Sequence, residues 1–279
     1  MQGEKTEEFS LQNLCFGFRN RSRKKTEEKE MSKLLETAAG RITYVLSFFV
    51  VIVVLFLIAL AFERLAQKLN GEKGPVFTTR KMAVIGIFSA LSSVLMLFEI
   101  PLPFAPPFYK LDFSEIPILI VSFAFGPAPG VMMEFIKILL KLLMKGTSTA
   151  FVGELANFAV GCSLIIPASV IYSFRKNKKM AIIACVAGTL VLTVFGTAFN
   201  AIYLLPAFAA LYKMPLEALI GMGMEVNSLV KEGDIVSFVV ACVAPLNLIK
   251  GTAVSLVTLL IYKPLSPILK GGNRKAKTE

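Results

Sequence analysis

Histidine and tryptophan are absent from these 279 residues, and charge is sparse, with Asp, Glu, Lys and Arg together making up 18%. Without histidine there is no imidazole metal ligand and no imidazole general acid or base. The four cysteines, Cys15, Cys162, Cys185 and Cys242, show no pair spacing, and three of them sit inside apolar runs. They read as small buried hydrophobes rather than metal ligands or disulfide partners. No Gly-rich phosphate loop with a following Lys and Ser/Thr occurs, nor a nucleophile–base spacing, a metal spacing or a redox pair. The formal net charge is +11, yet no nucleic-acid motif accompanies it. An intramembrane enzyme and a nucleic-acid binder are therefore poorly supported, and any ATP-driven step belongs to another chain.

What is present is apolar length. The chain is 55% hydrophobic with a mean hydropathy of +0.69, and its few charges are bunched. Between the bunches lie runs of about twenty apolar residues, enough to cross a ~30 Å hydrocarbon core. The fold class expected is an all-α, multi-pass protein of the cell membrane. Residues 1–41 form a polar tail, and residues 42–62 an extra N-terminal transmembrane helix too long for a typical signal-peptide core. Residues 63–81 form a linker, 82–263 a six-helix core and 264–279 a basic cytoplasmic tail. The six spans are placed at 82–99, 115–126, 129–145, 151–173, 180–206 and 235–262. The second and third meet at the Pro/Gly turn Gly126–Pro–Ala–Pro–Gly130.

Basic residues orient the core. The 174–179 loop holds Arg175, Lys176, Lys178 and Lys179, and the tail beyond 262 is also basic, which puts both core ends in the cytoplasm. Residues 1–41 would then lie outside, although they carry nine Lys and Arg against five in the 63–81 linker. Translation starting at Met31 instead of Met1 would remove most of that discord.

Polar groups at membrane depth are functional candidates by default. The segment Pro101–Glu115 contains four prolines and the aromatics Phe104, Phe108, Tyr109 and Phe113. It suits either an interfacial aromatic belt or a preordered lid over a flat ligand. Asn200, beside Tyr203, lies near the outer end of the fifth span. Asn247 and Lys250, three residues apart, share one face of the sixth, where Pro245 frees a carbonyl in the preceding turn. An Asn amide can pair with an imide edge such as that of a pyrimidinedione. The alternative is interhelical bonding by Asn with an outward-reaching Lys. Glu134, Lys137, Lys141 and Lys145 form a charged stripe fit to line a wet cavity, dock a partner or relay protons. Glu154 and Asn157 open the next helix, in positions equally suited to structural duty. Ala83, Gly86 and Ala90 offer a small-residue face for close approach of another helix.

The segment Tyr109–Lys–Leu–Asp–Phe–Ser–Glu–Ile–Pro117, the 126–130 turn, Gly153–Glu–Leu–Ala–Asn–Phe158 and Asn247–Leu–Ile–Lys–Gly251 resemble the riboflavin-specific substrate-binding subunits of energy-coupling factor (ECF) transporters, over about residues 80–270. The resemblance implies a six-helix core that binds its vitamin near the outer surface and works with a membrane scaffold subunit and two ATPase subunits. It implies substrate contacts at Tyr109, Lys110, Leu111, Asp112, Asn200, Asn247 and Lys250; Glu154, Asn157 and Tyr203 are candidates for supporting them. The face of Ala83, Gly86 and Ala90 would meet the scaffold. Riboflavin, or FMN, would be cargo rather than a cofactor, and no cofactor or metal is expected. The alternatives are a sister subunit for thiamine, a folate or pantothenate, and a stand-alone ion-coupled carrier using Glu134 or Glu154. The extra N-terminal helix departs from the family pattern.

Overall fold

The computed structural model describes residues 42–71, 74–147 and 149–270. The N-terminal tail, the choice between Met1 and Met31, Cys15 and the end of the basic tail lie outside these residues. The described chain is helical, with one short hairpin. Helix α1 is Ile42–Asn70 and α2 is Thr79–Leu95. Strands β1 (Ile100–Pro101) and β2 (Lys110–Leu111) pair antiparallel, with Ile100 opposite Leu111 and Pro101 opposite Lys110. Helices α3 (Glu115–Phe125), α4 (Pro127–Lys145) and α5 (Val152–Phe174) follow. Helix α6 (Lys178–Phe199) passes through a π-helical turn, Asn200–Leu204, into α7 (Leu205–Tyr212). After α8 (Leu216–Val226), α9 (Ile235–Phe238) runs through a second π-helical turn, Val239–Val243, into α10 (Ala244–Lys270).

Four of these stretches are long and apolar enough to cross a membrane: Phe48–Asn70, Val152–Phe174, Lys178–Tyr212 and Ile235–Leu269. Helix α3 is apolar but short, and α4 carries the charged stripe. The burial pattern is that of a chain dissolved in lipid. Ile202, Val194 and Leu260 face outward, whereas Glu134, Lys137, Glu115 and Glu154 are buried.

Several boundaries differ from the sequence reading for local reasons. Helix α1 does not stop at Phe62. Glu63 turns inward, where its Oε2 accepts the Ala128 N–H at 3.0 Å, and the helix runs on to Asn70, whose side-chain amide donates to the Ser173 carbonyl at 2.9 Å. Gly126, with φ of 109°, makes the α3–α4 turn, and Pro127 follows at the first helical position, where its missing N–H costs nothing. A Cβ on Gly126 would meet the Glu63 carboxylate at 2.5 Å, so glycine is needed there on two counts. Helix α10 continues through Pro264 and Pro267 to Lys270 rather than ending near 262. Helix α8 lies in a segment read as loop.

Helix α5 sits centrally, packed against α1, α3, α4 and α6. The core includes Ile118, Leu119, Phe123, Met133, Leu164, Ile165, Leu192 and Val254. Tyr172 stacks on Phe123 at 4.5 Å, and the Tyr262 hydroxyl donates to the Phe123 carbonyl at 3.1 Å. Cys162, Cys185 and Cys242 are buried free thiols. Helix α1 packs on α4 and α5 through Phe48, Ala59 and their neighbours. It leaves Ala83, Gly86 and Ala90 of α2 exposed, and the space beside Gly86 is open.

Candidate functional site

The hairpin loop, Gly146, Thr147 and Thr149 after α4, the end of α7, α8 and the start of α10 meet at one end of the bundle. There they enclose a cavity of about 900 Å³. Tyr109, Lys110, Asp112, Asn200, Asn247 and Lys250 all line it, brought together from three separate stretches of sequence. Leu111 does not line the cavity. It is buried beneath the hairpin opposite Ile100. Asn157 reaches the cavity while its amide donates to the Gly153 carbonyl at 3.0 Å. Glu154 is occupied elsewhere, accepting from Lys141 at 3.1 Å and from the Thr147 and Thr149 hydroxyls at 3.0 Å each. Tyr203 stacks its ring on Phe199 at 5.2 Å, away from the cavity wall.

Two π-helical turns shape the opposing walls, a geometry concentrated at functional sites because it re-aims side chains. Asn200 opens the first, and Asn247 lies one helical turn beyond the second. The carbonyl freed by Pro245 is that of Ala241, and it accepts from the Asn227 amide at 3.1 Å, so a protein group rather than a ligand uses it. The same amide donates to the Phe104 carbonyl at 3.4 Å, tying the hairpin loop to this wall.

The polar groups differ in how far they are committed. The Tyr109 hydroxyl donates to Asn200 Oδ1 at 2.7 Å, and the Asn200 amide donates to the Gly196 carbonyl at 2.7 Å. Burial pushes the Tyr109 phenol above its ordinary range, so it stays a donor. Asn247 is buried, yet its Nδ2 has no hydrogen-bond partner among the described residues. A buried orphan donor costs about 1–3 kcal/mol. A Cβ on Gly196 would come within 2.5 Å of that Nδ2, so glycine leaves the amide its place.

Lys250 Nζ lies 3.0 Å from Asp112 Oδ2 and 3.0 Å from Glu115 Oε1. Burial alone would raise the Asp112 carboxyl. The Lys250 and Lys137 ammonium groups and hydrogen bonds from Ser114 outweigh it and hold the group down at about 2. Lys250 is thus a charged donor anchored to the loop, not a side chain that escapes outward.

The sequence reading missed the apolar wall of Met96, Phe208, Tyr212, Met214, Leu219, Met222, Val243 and Leu246. Five of these eight belong to the α7–α8 region, where no charge or motif stood out; the closely spaced Met214, Met222 and Met224 were the available cue. The charged stripe of α4 proves graded. Glu134 and Lys137 lie in the dry interior, Lys141 at the cavity wall, and Lys145 is exposed at the mouth beside Glu99, at 3.3 Å.

A cavity of this size, with aromatic and methionine walls and a few convergent polar groups, suits a flat, largely apolar molecule with a polar edge. Residues 80–262 match the family model described as ECF transporter, substrate-specific component. The chain is 31% identical over 204 residues to the riboflavin transporter RibU of Staphylococcus aureus, covering 73% of this chain and 97% of that protein. It is 29% identical to the riboflavin transporter FmnP of Bacillus subtilis, covering 67% of this chain and 93% of the relative. It is 34% identical to a RibU of Streptococcus thermophilus, over 68% and 85% respectively. A solved structure of the S component of a bacterial ECF transporter superposes with a TM-score of 0.53 at 32% identity, covering 68% of this chain and 97% of that one. The matched family region begins after α1.

Proposed function

Since the chain belongs to the substrate-specific components of ECF transporters, we propose that it is the riboflavin-binding membrane subunit of an ATP-driven vitamin uptake system. It is a multi-pass protein of the plasma membrane. On this reading α2, α3, α4, α5, α6–α7 and α9–α10 make the six-span vitamin-binding core, and α1 is a seventh, added helix. The basic 174–179 loop faces the cytoplasm and the cavity opens on the outer side.

The observation that carries the reading is the placement of Asn247 and Lys250 together in the cavity wall. An imide edge offers acceptors for both, and Asn200 with Tyr109 supplies a further donor–acceptor pair on the facing wall. The apolar wall receives the flat ring system, so burial supplies most of the affinity and the polar groups supply selectivity. Tyr109, Lys110, Asp112, Asn200, Asn247 and Lys250 are the substrate-contacting residues in this account, with Leu111 held in the hairpin ladder beneath them. Riboflavin is cargo, not a retained cofactor. The subunit is not itself an enzyme: ATP hydrolysis belongs to two separate ATPase chains, which act through a membrane scaffold that meets α2 at Ala83, Gly86 and Ala90.

Titration of purified protein with riboflavin, followed by quenching of flavin fluorescence, tests the reading. Saturable binding that drops by orders of magnitude in the Asn247→Ala, Lys250→Ala double variant supports it. Binding unchanged in that variant removes the site assignment.

A further inference from the structure

Behind the cavity wall lies a charged cluster that touches no ligand space. Glu115, Glu134 and Lys137 do not line the cavity, yet each is at most 2% exposed. Lys137 Nζ faces three oxygens: Ser114 Oγ at 3.2 Å, Glu115 Oε1 at 3.2 Å and Glu134 Oε2 at 2.6 Å. Glu115 Oε1 is shared, lying 3.0 Å from Lys250 Nζ as well. Asp112 Oδ1 accepts from both the backbone N–H and the hydroxyl of Ser114, and Asp112 Oδ2 accepts from Lys250. The contacts close into a ring: Asp112, Ser114, Lys137, Glu115, Lys250 and back to Asp112. The ring joins the hairpin loop to the first residue of α3, to α4 and to α10.

Hydrogen counting gives the ring a direction. An ammonium has three N–H groups. Lys137 hydrogen-bonds Ser114 and Glu115 and is ion-paired with Glu134. Lys250 hydrogen-bonds Asp112 and is ion-paired with Glu115, and these partners among the described residues leave at least one N–H for the cavity that Lys250 lines. Where that last N–H points is set by the two carboxylates, and the place of Glu115 is in turn set by Lys137. Burying such a network gains little stability over well-packed apolar residues of the same volume, so its stability alone gives no reason to keep it. Gly161 of α5 leaves room for it, because a Cβ there would meet the Glu134 carboxyl at 2.8 Å.

We propose that Ser114, Glu115 and Lys137 are positioning residues for substrate binding, acting through Lys250 and Asp112 without touching the substrate. The inference rests on the riboflavin reading of the cavity. Its test is a double-mutant cycle on purified protein, reading the riboflavin Kd and, in the same samples, the Tm without ligand. Glu115→Gln keeps the shape and removes the charge; Ser114→Ala is a small, neutral second entry into the same ring. Each is expected to weaken binding about tenfold or more in the parent chain, and less than about twofold when Lys250 is already Ala. Losses that simply add to that of Lys250→Ala, or an unchanged Kd, would overturn the proposal whatever happens to Tm. If Glu115→Gln does not fold, the Ser114→Ala cycle decides by the same criterion. Failure of the riboflavin reading looks different, because the parent chain then shows no saturable riboflavin binding at all.

Discussion

Tyr109 donates its phenolic hydrogen to Asn200 Oδ1 across 2.7 Å, joining the hairpin loop to the π-helical turn that follows α6. The bond ties the loop over the cavity to its far wall, and both partners are buried. Tyr109→Phe removes the bond while keeping the ring. A buried hydrogen bond of this type is worth ~1 kcal/mol, so the riboflavin off-rate should rise about fivefold. Stopped-flow release in the presence of a flavin trap measures it. An unchanged off-rate would mean that this bond does not hold the loop over bound ligand.

Asn247 gives a prediction in which affinity and stability part. Its amide is unsatisfied without ligand, so Asn247→Leu should leave the ligand-free Tm unchanged or slightly raised. Riboflavin affinity should fall by about tenfold or more. Thermal unfolding with and without riboflavin reads both at once. A large fall in the ligand-free Tm would show that the amide is a structural group.

The Asp112 carboxyl, held at about 2, sets the expected pH response. Its ordinary value is about 3.9, so the folded state depresses it. The stability it contributes is complete above the ordinary value and is lost as pH falls through about 2. Riboflavin binding should therefore be flat from about pH 5 to 8 as far as Asp112 is concerned. Asp112→Asn should weaken binding across that whole window. A parent profile that falls with a midpoint near pH 6 and is abolished by Asp112→Asn would contradict the anchored pair.

The added helix makes a separate claim. Every described residue lining the cavity lies at or beyond Met96, whereas Glu63 secures the start of α4 from α1. A chain beginning near residue 74 should bind riboflavin with an affinity close to that of the full chain, at a lower Tm. Gly126→Ala forces a side chain into the Glu63 carboxylate at positive φ and should cost about 1–3 kcal/mol of stability without changing the binding stoichiometry. Loss of binding in the shortened chain would make α1 part of the site.

Much of this was legible in the sequence, for identifiable reasons. Apolar runs give away membrane helices because lipid tolerates little else, and Gly126 with its flanking prolines marks the α3–α4 turn plainly. Asn200, Asn247 and Lys250 stand out because polar groups are rare in such runs. Glu63 misled because a charge after an apolar run reads as the membrane edge, whereas here it finds the N-terminal end of another helix. The π-helical turns have no one-dimensional signature beyond Pro206 and Pro245, each just past one of them. The division of the α4 stripe into a dry cluster and an exposed mouth depends on what α3, α5 and α10 bring to it, which periodicity along α4 does not encode.

The central claim is that this cavity holds a flavin. The protein should be expressed in cells supplied with riboflavin and purified without denaturation. Its absorption spectrum and the mass of the small molecule released on unfolding identify the occupant. The account predicts a flavin spectrum and the mass of riboflavin, both lost in the Asn247→Ala, Lys250→Ala double variant. Release of a different vitamin, such as thiamine or a folate, from the parent protein would contradict it.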